Sequence, residues 1–313
     1  MPLPSAPLSR RQFLATAAAG ALSVRALAES VATPAPAIPI VDIHQHTPFT
    51  GRTDTELIAH QRANGIRKTI LLPAGRANKL AAGVEPVAHT YDFIQQHPGG
   101  EFAFFANDDI DAPGAVSEIA RYLDKGAIGI GELKDKVKCD SEHVVHVAEL
   151  ARDRGVPVIM HFQDGTYNDG FANFHRIIEK FPTVKFIAHA QTFWCYVDKN
   201  YVAAHGLYPK TKITPGGLSD RWLADYPNFY GDLSAGSGTN ALLRQPEFGK
   251  AFIERHQDKL LFGSDCSCKT GRGPTCFSVE KFGMWRDMGI TDSIMRKILF
   301  ANAQTMFRFP DLA

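Results

Sequence analysis

No apolar run in this chain approaches the roughly 20 residues that a membrane-spanning helix requires. Charge of one sign is lacking as well. With 34 lysines and arginines against 33 acids the net charge is +1, so nothing indicates the strongly basic surface of a nucleic-acid binder. Cysteine is scarce: the five are Cys139, Cys195, Cys266, Cys268 and Cys276, and none stands in a Cys-x-x-Cys pair that would suggest structural zinc. An odd count leaves at least one thiol unpaired. Cys266, Cys268 and Cys276 share one short segment, where an oxidising compartment would permit a disulfide whose pairing stays open. No glycine-rich phosphate loop follows the first apolar strand, which counts against a doubly wound dinucleotide fold. What remains, 313 residues with 44% hydrophobic, is the composition of an ordinary globular chain.

The first 28 residues are built differently from the rest. Ser9-Arg10-Arg11-Gln12-Phe13-Leu14 precedes an Ala-rich run, and Ala26-Leu27-Ala28 has the small-residue form of a cleavage site. A charged start, a short apolar centre and this ending are the layout of an export signal, and the paired arginines before Phe13 resemble the twin-arginine type. The expected partner of the segment is the twin-arginine export machinery and the expected location is the periplasm. Its removal changes the net charge from +1 to −2, because Arg10, Arg11 and Arg25 leave with it and no acid does. Residues 29–39, with Pro34, Pro36 and Pro39, read as an extended tether.

From Ile40 onward, short β-rich runs alternate with helical patterns. Strands are expected at 39–44, 66–72, 101–106, 127–133, 156–161, 184–189, 229–233 and 259–263. Helices are expected at 53–64, 86–96, 113–124, 141–154, 171–181, 218–225, 239–255 and 291–307. Thr53 and Glu56 have capping-box spacing, and Gly65, Gly126 and Gly155 are helix stops. This rhythm predicts an α/β protein with a closed (β/α)8 TIM barrel over residues 40–313.

In such a barrel the working groups sit at the C-terminal ends of the strands. Those ends carry His44 and His46, Glu132, His161, His189 and Asp265. Each alone has a bland reading, such as a hydrogen-bonded core histidine or a capping acid. Four histidines and two carboxylates converging on one mouth form instead a ligand set for a divalent ion with open positions. Asp42 is expected on the opposite face of the first strand from His44, in a structural role. His60, His89, His97, His143, His146, His175, His205 and His256 fall on helices or loops, where a solvated surface is the expectation.

The motifs His44-x-His46, Gly131-Glu132-Leu133, His161, His189, Gly263-Ser264-Asp265 and Asn302-Ala303 resemble the amidohydrolase superfamily of metal-dependent barrels, in particular its amidohydrolase-related subgroup. The resemblance implies that His44, His46, His161 and Asp265 hold one metal, and that Glu132 bridges to a second one bound also by His189. Glu132 and Lys134 share a strand face, so either could be the inward group. With Glu132 outside the ligand set, His189 would polarise the substrate and the centre would hold a single ion. The implied cofactor is a divalent metal, zinc in the first place, one or two per chain. The implied activity is hydrolysis of a small organic substrate by metal-activated water, with Asp265 and His189 as catalytic residues. A metal-dependent decarboxylase of the same fold is the alternative, and a non-catalytic metal- or ligand-binding barrel is the reading of a different class. Arg52, Arg76, Trp194 and Arg272 are candidates for binding a small, anionic substrate, and the aromatic segment 191–215 reads as a lid or pocket wall.

Overall fold

The computed structural model of the chain describes residues 38–76 and 83–312; the signal-like segment and most of the tether lie outside them. Eight strands follow one another: β1 (Ile40–Gln45), β2 (Ile66–Leu71), β3 (Phe102–Phe104), β4 (Ile130–Leu133), β5 (Val158–His161), β6 (Phe186–His189), β7 (Phe229–Asp232) and β8 (Leu260–Leu261). They pair in parallel as β1-β2-β3 and as β4-β5-β6-β7-β8. Backbone bonds carry the ladder across both seams. Ile128 N–H to the Phe104 carbonyl and Ala106 N–H to the Gly129 carbonyl, each 2.9 Å, join β3 to β4, while Ile43 N–H to the Phe262 carbonyl, 3.0 Å, joins β1 to β8. The sheet therefore closes on itself, in the predicted strand order.

Two apolar layers explain why it closes. Val41, Ile43, Ile70, Leu72, Phe105, Ile159, Ile187 and Leu261 fill the inside, joined by Ala303 and Phe309 from the end of the chain. The alternate residues Leu71, Phe104, Val158 and Met160 face outward into a larger layer with Phe171, Phe174 and Trp222 from the helical side. The helices are α1 (Asp54–Ala63), α2 (Val87–Gln96), α3 (Ala115–Asp124), α4 (Glu142–Arg154), α5 (His175–Lys180), α6 (Gln191–Cys195), α7 (Leu218–Asp225), α8 (Ala235–Leu243), α9 (Pro246–His256), α10 (Phe277–Asp287), α11 (Asp292–Arg296) and α12 (Asn302–Phe307). Thr53 and Glu56 form the expected capping box on α1, a device worth about 1 kcal/mol. None of the described helices is long and apolar enough to cross a membrane.

The departures from expectation have local causes. α3 starts at Ala115, behind Gly114 at φ +81°, rather than at Pro113. The single helix expected over 239–255 is two, because Pro246 opens a new one at its first turn. The 291–307 pattern passes through a π turn at Lys297–Ala301. α10 lies outside the expected pattern: its buried face, Ser278, Lys281, Met284 and Trp285, mixes polar with apolar and shows no stripe.

Two irregular pairings aim the strand-end side chains. Between Asp42 and Gln45 β1 advances three residues while β2 advances two, from Thr69 to Leu71. Asp42 and His44 do face opposite ways, as expected, but alternation is not the cause, since it would put both on one face. The extra residue instead turns Asp42 toward Gln61 of α1 and lets His44 follow Ile43 into the barrel. β4 does the same between Ile130 and Leu133, opposite Val158 and Met160. That turns Glu132 inward and presses Gly131, at φ +120°, so close to β5 that a Cβ there would stand 2.4 Å from the Ile159 carbonyl oxygen.

Candidate metal centre

At the C-terminal end of the barrel, the ring nitrogens of three histidines and two carboxylates face one another. The Nε2 atoms of His44 and His46 are 3.2 Å apart. Glu132 Oε2 lies 3.6 Å from each, and Asp265 Oδ1 lies 3.4 Å from His46 Nε2 and 4.0 Å from His44 Nε2. His189 Nε2 stands 3.4 Å from Glu132 Oε1 and 3.9 Å from Asp265 Oδ2. All but Asp265 are essentially excluded from solvent.

The opposite edges of the rings fix what these atoms are. His46 Nδ1 is 2.7 Å from the Leu72 carbonyl oxygen, which can only accept, so Nδ1 carries the proton. His44 Nδ1 is 2.7 Å from Asp232 Oδ2. The Ser234 hydroxyl gives its proton to Asp232 Oδ2 (2.8 Å) and so accepts from His189 Nδ1 (2.7 Å). Each neutral ring therefore turns a bare Nε2 lone pair to the centre. Asp265 Oδ1 is buried among them with no hydrogen-bond partner. Three lone pairs and two carboxylates without a proton donor between them are the donor set of a divalent cation, and the residues fit one. A tetrahedral site with bonds of 2.0–2.2 Å has ligand atoms about 3.3–3.6 Å apart, close to the separations here.

The electrostatics call for positive charge at the same point. Burial opposes a charge on His44, but the carboxylates of Asp265 and Asp232 outweigh it and raise the ring well above the usual histidine range, so a bound cation takes the place of the proton that His44 Nε2 would otherwise attract. Burial likewise opposes ionisation of Asp232, yet His44 and His189 keep it below the ordinary carboxylate range. Burial pushes His161 down to about 4. It is thus a neutral ring whose Nδ1 lies 2.6 Å from Glu132 Oε1 and whose Nε2 turns to Gln163 at 3.4 Å.

The compatible triads are His44, His46, Asp265 and His44, Glu132, His189. They share His44 Nε2, and one lone pair serves one ion. His161 stands behind Glu132 as its hydrogen-bond partner and belongs to neither group. Of the two candidates on β4, Glu132 takes the inner place, while Lys134 sits over the Tyr167 ring at 5.4 Å.

A family model described as "Amidohydrolase" matches residues 41–309. The chain belongs to the amidohydrolase family. No curated protein matches it. Among solved structures, an uncharacterised TIM-barrel protein from Bordetella bronchiseptica is 17% identical over 87% of this chain and 99% of its own, with a TM-score of 0.60. A probable 2-pyrone-4,6-dicarboxylic acid hydrolase from Acinetobacter baumannii, solved with citric acid bound, is 10% identical over 87% and 100%, TM-score 0.58. The 5-carboxyvanillate decarboxylase of Sphingomonas paucimobilis is 15% identical over 87% and 100%, TM-score 0.53. At these identities the likeness shows the TIM-barrel fold.

This member of the amidohydrolase family differs from the sequence reading at several positions. Arg52 does not face the mouth. It is buried and donates to the carbonyls of Cys266 and His46 and to Gln45 Oε1, bracing the ends of β1 and β8. Trp194 is likewise not at the mouth but packs on Phe193 and Phe252 between sheet and helices. The start of the supposed lid, α6, is thus core: Thr192, Phe193, Trp194 and Cys195 are all buried. Arg76 is half exposed and paired with Asp108 at 2.7 Å, and Arg272 is exposed. Sequence reasoning misses Asp232 and Ser234, although Asp232 ends β7, the same strand-end position that marks the other groups. Gly263 is more than a motif residue. A Cβ there would stand 2.4 Å from Asp232 Oδ1 and 2.7 Å from the His44 Cβ, so glycine is what lets β8 close on this pair.

Proposed function

We propose that the protein is a metal-dependent hydrolase that opens a lactone, ester or amide bond in a small carboxylated substrate. It does so with one divalent ion, zinc in the first place, held by His44, His46, Glu132 and Asp265. The observation that carries this reading is the convergence of bare Nε2 lone pairs on Asp265 Oδ1, a buried carboxylate oxygen with no donor. When bound there, a divalent ion supplies Lewis acidity, lowering the pKa of water and polarising a substrate oxygen. The Asp265 carboxylate, kept ionised, accepts the proton of the attacking water and returns it to the leaving group. His189 places its Nε2 between Glu132 and Asp265 and orients the reacting group. Glu132 spans His161 and the two β1 histidines and fixes all three. Lys134, close enough to His161 for its charge to be felt there, is the cation best placed to meet a substrate carboxylate. Two neighbours named above act on, or bind, carboxylated molecules, which supports that substrate class.

The decarboxylase reading uses the same site, and a decarboxylase is among the structural neighbours. The product separates the two. In ¹⁸O-labelled water, with a panel of carboxylated lactones and aromatic acids, hydrolysis puts one labelled oxygen into the product. Release of carbon dioxide without label incorporation sinks the hydrolase proposal.

We also propose that residues 1–28 export the folded protein to the periplasm by the twin-arginine route. Replacing Arg10 and Arg11 with lysine should then leave it in the cytoplasm, as read by cell fractionation. Undiminished export of that variant would end this part of the proposal.

A further inference from the structure

We propose that the chain carries a second metal site, formed by His60, Cys268, Cys276 and Cys266 between α1 and the segment after β8, for a thiophilic divalent ion of the zinc type. Nothing in the cysteine spacing announces it, since the pattern is Cys-x-Cys followed by Cys276 eight residues later, with the histidine more than 200 residues upstream.

The sequence suggests a solvated helix face for His60, yet the ring is fully buried. Its Nδ1 lies 2.7 Å from Gln61 Oε1. The Gln61 amide cannot be turned round, because its Nε2 donates to Asp42 Oδ2 at 3.1 Å and to Thr69 Oγ1 at 2.7 Å. Oε1 therefore accepts from His60 Nδ1–H, and His60 Nε2 is left with a bare lone pair. That is the anchoring found behind metal-ligating histidines. The lone pair faces Cys276 Sγ at 3.4 Å. Cys268 Sγ completes a triad whose three ligand atoms all lie within 4.8 Å of one another. Cys266 Sγ lies outside that triad but 3.9 Å from Cys276 Sγ, and a turn of its side chain would bring it to the fourth position. It accepts the backbone N–H groups of Cys268 (3.4 Å) and Phe277 (3.3 Å), which hold its side chain beside the triad.

The spacings suit an ion better than a disulfide. With bonds of 2.3 Å to sulfur and 2.0–2.1 Å to nitrogen, a tetrahedral zinc site has S···S edges of about 3.8 Å and N···S edges of about 3.6 Å. A disulfide brings its sulfurs to about 2 Å, and all five cysteines here are free.

Such a site would be closed and structural, with three sulfurs and one nitrogen and no position left for substrate. It would fasten the 266–276 segment, which begins directly after Asp265, onto α1. Gly271 shows how tightly that segment lies: a Cβ there would stand 2.6 Å from the His60 carbonyl oxygen. From His60 the hydrogen bonds run through Gln61 to Asp42, which accepts the backbone N–H groups of His44 (3.1 Å) and Ser264 (2.9 Å). An ion at the thiols would thereby stiffen the backbone that presents the catalytic ligands.

The test uses the full chain, purified and then loaded with Co2+. Only sulfur ligands give cobalt its intense near-ultraviolet charge-transfer absorption, and the catalytic set has none. The band should be present in the wild type, persist in His44→Ala and vanish in Cys276→Ser. Elemental analysis should find about two ions per chain, falling to about one in either variant. If Cys276→Ser does not fold, the half-exposed Cys268→Ser should fold and lose most of the band. Cobalt-loaded wild type without the band overturns the proposal. So does a metal count unchanged in both cysteine variants, or a Cys266–Cys276 cross-linked peptide from the metal-replete protein.

Discussion

Replacing Asp265 with asparagine is expected to lower kcat by about 10³-fold or more, within the 10²–10⁴ range of a lost general acid–base. The backbone should tolerate the change. Asp265 sits at φ +45°, a left-handed conformation that Asp and Asn both accept more readily than other side chains, and its N–H holds the His44 carbonyl oxygen at 2.9 Å. What changes is the charge. Burial opposes ionisation of Asp265, but the nearby rings of His44, His46 and His189 hold it below the usual carboxylate range. A depressed pKa keeps the base ionised as pH falls, so activity should hold until pH drops below the ordinary carboxylate range and decline only there. The asparagine amide can neither take the proton nor match a carboxylate as a ligand, so that acid limb should vanish with the activity. Steady-state kinetics against pH, with metal content measured alongside, make the check. An Asp265→Asn protein that keeps both its metal and its full kcat would remove Asp265 from the proposed chemistry.

Much of this is readable from sequence because barrel strands are short apolar runs between punctuating glycines and prolines. All eight strands fall where the pattern puts them. Legibility ends where tertiary pairing overrides period two. His44 points inward only because β1 carries one residue more than β2 between Asp42 and Gln45, and no propensity encodes that. Arg52 shows the opposite failure: a charged residue in a loop reads as solvated or substrate-facing, yet here three acceptors bury it. His60 reads as solvated because its burial depends on a segment that arrives from more than 200 residues away. Asp232 is the instructive omission. A single acid at the end of a strand looks ordinary, and its meaning emerges only when His44 and His189 are seen to share it.

That sharing makes Asp232→Asn a sharper test of the centre than removal of a ligand. Asp232 Oδ1 accepts the Ser234 N–H at 2.9 Å, so an asparagine would keep its oxygen there and place its NH2 where Oδ2 now stands. The NH2 would then meet His44 Nδ1 at 2.7 Å, the Ser234 hydroxyl at 2.8 Å and His189 Nδ1 at 3.3 Å. Donor would face donor. The rings relieve this by moving their protons from Nδ1 to Nε2, which is the tautomer that cannot bind an ion. Loss of a carboxylate behind a metal-binding histidine costs about 10–100-fold in affinity. Because two rings are affected at once, the upper end or beyond is expected, with a comparable fall in kcat/KM. Asp232→Ala removes the carboxylate without imposing the wrong tautomer, so it should retain more affinity than Asp232→Asn despite being the larger deletion. Competition titration against a metal-binding dye would rank the three proteins. The geometry requires wild type to bind most tightly, Asp232→Ala next and Asp232→Asn least. An asparagine variant that binds as tightly as wild type would show that Asp232 does not set the tautomers.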